Sequence, residues 1–197
     1  MKLPILPVLL DIKFHIMETA RQANQLNEPF QELVACRIGC SYCCSRRVEI
    51  SIAEAIVIRD QLINSGSWSK VLEKCKTYKD LYEDLDSNSW FMMNIKCPVL
   101  NTETNVCGVY DVRPVSCSTH FALTSSEACD PWYTGDKKES KIDYEDLVQK
   151  FYKKVLKEAS PIIYAYILPI HEALVLAEHI HETPDMNHEE LVKTLGR

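Results

Sequence analysis

Residues 34–66 read VACRIGCSYCCSRRVEISIAEAIVIRDQLINSG, and this stretch decides the fold. Its first third sets Cys36, Cys40, Cys43 and Cys44 in a C-x3-C-x2-C-C run. Val48-Glu49-Ile50 follows as a brief extended piece. Ser51 with Glu54 three residues later forms a capping-box pattern, in which each side chain satisfies the other's backbone N–H. A helix is therefore expected from Ile52, ending at Gly66.

On the N-terminal side, residues 8–27 read as an amphipathic helix, with Leu9, Leu10, Ile12, Ile16 and Met17 approximating one stripe. A short helix over 29–36 is expected to lead into the cysteines. On the C-terminal side, 67–86 reads as a helix with a charged outer face. Residues 90–118 change character: NTETN between CPVL and VCGVY reads as a hairpin turn, with Cys97 and Cys107 at the outer ends of two short strands. Asp111 to Pro114 then turns the chain towards Cys117. Residues 141–158 are amphipathic, and 160–182 are apolar nearly all round, as a central buried helix is. The expectation is a mainly α fold: a helical domain with a small β hairpin and a cysteine-rich metal-binding lobe. One domain is expected over 1–197, containing a cysteine-cluster region at 34–131, with a polar tail at 184–197.

The chain has 197 residues, enough to bury a hydrophobic core without disulfide staples. The N-terminal run MKLPILPVLLDIKFHIMETA is interrupted by Pro4 and Pro7 and lacks a small-residue cleavage site, so no signal peptide is read. A reducing cytoplasm is the expected location, where clustered cysteines indicate metal or redox chemistry. The net charge of −6 argues against nucleic acid as a partner. Pro161 to Ala177 is apolar but shorter than the roughly 20 residues a membrane span needs. Metal ions are the expected partners, and a protein partner is left open. No P-loop, G-x-G-x-x-G or G-x-S-x-G motif is present.

Eight of the nine cysteines form one ordered array: after the first four come Cys97, Cys107, Cys117 and Cys129 at intervals of ten, ten and twelve residues. Cys75 stands apart in KVLEKCKTYKD and reads as a small core residue. Zinc and iron–sulfur sites commonly take four thiolates. Neighbouring side chains diverge, so Cys43 and Cys44 rarely serve one tetrahedral ion together. Eight thiols divide into two four-ligand sites or one polynuclear cluster with spare ligands. An iron–sulfur cluster or iron, with a redox or modification role, is preferred to zinc on that ground; a non-catalytic zinc-binding or metal-delivery protein is the second reading, and a thiol-redox protein cycling through disulfides the third. The triplet Cys36, Cys40 and Cys43 also fits radical S-adenosylmethionine enzymes, but five glycines and helical periodicity do not suit their βα barrel.

GCSYCC, VEISIAEA, CPVL, CGVYDVRPVSC and the later Cys129 together resemble the YkgJ-like cysteine-cluster family, over roughly residues 34–131. The resemblance implies a zinc- or iron-chelating domain with all eight array cysteines as metal ligands. The flagellin lysine N-methylases share a similar cluster, reported as iron–sulfur, which admits a link to methyl transfer; those enzymes are much larger. Where the family has Arg after the third downstream cysteine, this chain has Ser118, so an anion-binding role does not carry over. Arg113-Pro114 matches the family's Arg-Pro pair. Arg113 is either a partner in an ion pair with Asp111 or Glu103, or a charge that offsets the thiolates. Glu54 matches the family's Glu-Ala and is read chiefly as a cap. His120, three residues after Cys117, is a candidate ligand or supports one. His171, His179 and His181 with Glu178 are read as core and surface residues before a carboxylate–histidine site.

Overall fold

The computed structural model describes residues 5–82, 84–123, 125–134, 141–158, 166–183 and 193, with side chains described from residue 10 onward. The tail from Pro184 apart from Lys193, Glu83 of the acidic run, and 159–165 of the apolar segment lie outside this description.

The capping box forms as its sequence dictates. Ser51 Oγ accepts from the Glu54 backbone N–H, and the Glu54 carboxylate accepts from the Ser51 N–H at 2.8 Å. It starts α2 (Ile52–Asn64), which is buried nearly all round: Ile52, Ala53, Ala55, Ile56, Val57, Ile58 and Leu62 all face the interior. The preceding extended piece is strand β1 (Glu49–Ser51).

Around α2 pack the other long helices. α1 (Ile5–Asn27) lies against α2 and α6 (Glu145–Glu158). Its core contacts are Ile12, Ile16 and Ala23, whereas Leu10 and Met17 of the expected stripe are exposed. α3 (Trp68–Tyr82) and α7 (Ile170–Glu182) pack on each other, and α7 also packs on α2. Arg59, only 6% exposed, locks α2 to α7 through Glu178 at 2.6 Å and lies over the Trp68 ring of α3. Glu178 is thereby held by Arg59, and among the described residues no three metal-ligating side chains gather there.

Four expectations are corrected. Residues 29–36 are not a helix: a 3-10 turn at Glu28–Phe30 gives way to an isolated bridge between Val34 and Leu123. The 67–86 helix stops at Tyr82, and Asp86 instead caps α4 (Ser87–Met92) by accepting from the Asn88 and Ser89 N–H groups. The expected helix over 141–158 opens with a strand, β5 (Lys141–Asp143). The expected 160–182 helix contains strand β6 (Ile167–Pro169), paired antiparallel with β1, and only then α7. The hairpin is present but shorter than expected, as β2 (Leu100–Asn101) and β3 (Val106–Cys107): Cys107 ends β3, whereas Cys97 lies three residues before β2. β4 (His120–Ala122) pairs with β5 in the register His120↔Asp143. The fold is mainly α, with three small antiparallel strand pairs among the described residues. No helix among them is long and apolar enough to cross a membrane.

Two hydrophobic clusters result. The larger contains Cys75 and Cys97, with Cys44 and Cys107 packed against it. The smaller, Ala23, Phe121 and Leu147, has Cys36 at its edge.

Candidate metal centre

The first four cysteines are held by tight turns. Gly39 has φ 89°, a left-handed conformation that costs any residue with a Cβ, and it reverses the chain between Cys36 and Cys40. Cys43 and Cys44 lie in a 3-10 turn, Tyr42–Ser45. The hairpin is brought to them by the backbone: the Cys97 N–H donates to the Cys44 carbonyl at 2.7 Å, although 53 residues separate the two. Ser41 Oγ reaches Asn105 Oδ1 at 3.1 Å, tying the hairpin turn to the same segment. Gly108 lets the hairpin close, since a Cβ there would stand 3.0 Å from the Val99 carbonyl oxygen. The first group of cysteines and the hairpin therefore converge on one region.

Cys117 arrives on α5 (Val115–Ser118), a single turn whose first N–H donates to Glu54 Oε1 at 3.0 Å. Glu54 is fully buried and binds Ser51 and Val115. It works as a clamp between the start of α2 and the turn that carries Cys117. Ser118, where the resembled family has Arg, is buried and donates to the Val115 carbonyl.

Six array cysteines, Cys40, Cys43, Cys44, Cys97, Cys107 and Cys117, line one inner cavity of about 70 Å³. Val48, Val99, Leu100 and Ile170 give it apolar walls, and Arg113 lines it as well. The Arg113 guanidinium lies 4.6 Å from the Tyr110 ring centroid and makes no ion pair with Asp111 or Glu103, contrary to the first of the two expectations for it. Burial pushes the Cys36 and Cys107 thiols up, and the Arg113 charge offsets a small part of that rise.

Cys36 and Cys129 stand outside the inner cavity. Cys36 faces a groove of about 1120 Å³ between α1 and the cysteine lobe, and Cys129 faces a second groove of about 710 Å³ that includes Arg46 and Arg47. His120 borders both. Its Nδ1 meets Asp143 Oδ1 at 2.6 Å, and its Nε2 faces Cys129 Sγ at 3.5 Å. The hydrogen bond from His120 holds the Asp143 carboxyl below its usual range. Sequence reasoning missed Asp143, because it lies opposite His120 only through the register of two three-residue strands. Cys75 is fully buried on α3 and lines none of these spaces, as expected.

None of the nine cysteines is in a disulfide. Burial pushes the thiols of Cys36, Cys107 and Cys117 up, and those of Cys97 and Cys129 up to about 12. Neighbouring sulfurs add to the effect at Cys97 and Cys117. A hydrogen bond between Cys43 and Cys44 holds Cys43 low and Cys44 high. Buried thiols this close cannot ionise together unless positive charge joins them, and a bound cation supplies it. The donor chemistry thus fits a thiophilic metal. Among the described residues no three His, Cys, Asp or Glu side chains already stand close enough to hold one ion.

The model of a family described as "Putative zinc- or iron-chelating domain" matches residues 35–146, more than half of the chain and all eight array cysteines. No curated protein and no solved structure matches at significance.

Proposed function

The chain belongs to that family, the CxxCxxCC metal-chelating domains, and from this premise we propose that its inner cavity carries a polynuclear iron–sulfur centre with a redox role. One observation carries the reading: six thiols share one small cavity, whereas a single tetrahedral ion takes four ligands. Such a centre supplies one-electron chemistry, and its potential follows its net charge, the hydrogen bonds to its sulfurs and its exposure to solvent.

The residues around the cavity supply those controls. Backbone N–H groups of Val99 and Val109 donate to Cys97 and Cys107, which favours the thiolates and disperses their charge. Arg113 adds a full positive charge beside them. Val99, Leu100 and Ile170 exclude water from the inner side. The reducing cytoplasm is the proposed location, since it keeps nine free thiols available to metal.

Zinc is the competing ion, with a purely structural role. Electron paramagnetic resonance of anaerobically purified protein before and after dithionite reduction separates the two. The proposal requires a signal that changes on reduction and that Cys97→Ser or Cys117→Ser diminishes. A protein silent in both states, with zinc at full stoichiometry, refutes it.

A further inference from the structure

The turn that ends the first cysteine group runs into two arginines, and the fold brings a lysine to meet them. Arg46 and Arg47 follow the 3-10 turn at Tyr42–Ser45, and Lys141 opens β5, where it is placed by pairing with Ala122 of β4. All three line the groove of about 710 Å³, and Glu49 is the one carboxylate among the described residues that line it. A chain of net charge −6 thus gathers three cations around one concave space. Like charges held together repel, so the gathering is unfavourable until an anion joins them.

The protein's own carboxylates match these cations only loosely. Arg47 Nη2 stands 3.5 Å from Glu172 Oε1, and Arg46 Nη1 stands 3.8 Å from Asp143 Oδ1. Both exceed the roughly 2.7–2.9 Å of a charge-assisted hydrogen bond. Asp143 gives its close contact to His120 instead, at 2.6 Å. A second observation is independent of charge: the Arg47 side chain is 17% exposed, and its Nε is buried with no acceptor among the described residues. A buried donor without an acceptor is destabilising, and in native structures it marks a place that water or an ion completes. An oxyanion that meets the guanidinium side-on, through Nε and Nη together, supplies the acceptor.

Size and walls narrow the class of ligand. The volume lies within the roughly 300–1,000 Å³ of small-molecule sites. Val48, Val148 and Ile167 give the groove apolar surface, and Ser87 and Ser116 bring hydroxyl donors to it. Three cations suit the three terminal oxygens of a phosphate better than the two of a carboxylate. We infer that this groove binds a small organic phosphate monoester, with its phosphoryl oxygens held by Arg46, Arg47 and Lys141 and its organic part on the apolar surface. His120 and Cys129 line the same groove, so the ligand lies alongside the thiol array. The site does not depend on which metal the array holds. Metal and sulfide content report the array, and ligand affinity reports the groove.

Isothermal titration calorimetry of phenyl phosphate into the anaerobically purified full chain tests this at about pH 7.5, where the ester is a dianion. Benzoate and inorganic phosphate serve as comparison ligands, with circular dichroism and metal analysis on every variant. One phenyl phosphate per chain should bind, more tightly than benzoate, which offers two oxygens, and than inorganic phosphate, which has no organic part. Raising the salt concentration should weaken it. Arg47→Gln should weaken it about tenfold or more, through loss of a charge-assisted contact. Glu49→Gln, which removes the carboxylate from the groove, should tighten it, and this keeps the test decisive if the arginine variant does not fold. Absence of saturable binding overturns the inference. So does an affinity unchanged in both folded variants at full metal content, which would place the anion on the array's metal. Benzoate as tight as phenyl phosphate overturns the phosphate assignment, and inorganic phosphate as tight overturns the organic one.

Discussion

Replacing Glu54 by alanine tests the clamp between the start of α2 and the turn that bears Cys117. Glu54 is completely buried. Its Oε2 accepts from the Ser51 N–H at 2.8 Å and its Oε1 from the Val115 N–H at 3.0 Å. Alanine keeps the Ser51 N-cap, because there the donor is the residue's own backbone N–H, but it orphans both of those buried amides. Each orphaned donor costs about 1–3 kcal/mol, so the gross loss is about 2–6 kcal/mol. Removing a buried carboxyl, whose pKa is pushed up by desolvation, returns part of this. The net expectation is a loss of about 3 kcal/mol. Glu54→Gln keeps one acceptor oxygen and turns a donor towards the other amide, so it should fall between wild type and alanine.

Urea unfolding followed by far-ultraviolet circular dichroism gives the ordering, and metal analysis of the same samples gives the functional consequence. Val115 opens the turn two residues before Cys117, so Glu54→Ala should also lower metal content. An alanine variant within 1 kcal/mol of wild type, with full metal content, would refute the clamp.

His171 is fully buried and stacked on Trp90 with ring centroids 5.0 Å apart; desolvation, then Arg47 and Lys79, lower its pKa to about 4. A base with a depressed folded pKa contributes stability above its unfolded value near 6.5, and loses it as pH falls towards 4. His171→Leu should therefore flatten the stability profile between those values, where wild type loses up to about 3 kcal/mol; parallel profiles would contradict this. Cys75→Ala should leave metal content unchanged while Cys40→Ser lowers it, and equal losses would show that Cys75 belongs to the centre. Gly39→Ala, at φ 89°, should cost about 1–2 kcal/mol and weaken metal retention by straining the turn between Cys36 and Cys40, measurable by competition with a chelator. Retention equal to wild type would show that this turn does not set the ligand positions.

Local signals in the chain were legible, and signals that depend on register were not. The Ser51–Glu54 box acts over three residues, so its pattern announced the helix that followed it. The cysteine spacings and the NTETN turn are equally local, and together they placed the cluster against the hairpin. Strands β5 and β6 were missed because three residues carry no period, and each adjoins a helix whose pattern absorbs it. In the second case Pro169 marked the boundary: it ends β6 and stands immediately before α7. Among the described side chains, the buried apolar residues of α1 are Ile12, Ile16 and Ala23, whereas Leu10 and Met17 of the expected stripe are exposed. Asp143 acquires its role only when β5 pairs with β4, an event 23 residues removed from His120. Of the two readings of Arg113, the ion pair rests on acidic residues near it in sequence, but its guanidinium lies over the Tyr110 ring, next to the 3-10 turn at Tyr110–Val112.

The central claim, a polynuclear thiolate-held iron centre in the six-cysteine cavity, is tested most directly by iron, zinc and acid-labile sulfide analysis of the anaerobically purified chain. The account predicts iron accompanied by sulfide in comparable amount, both falling in Cys97→Ser and Cys117→Ser and neither in Cys75→Ala. Zinc without sulfide at full occupancy, or iron and sulfide that persist when Cys97, Cys107, Cys117 and Cys129 are all replaced, would contradict it.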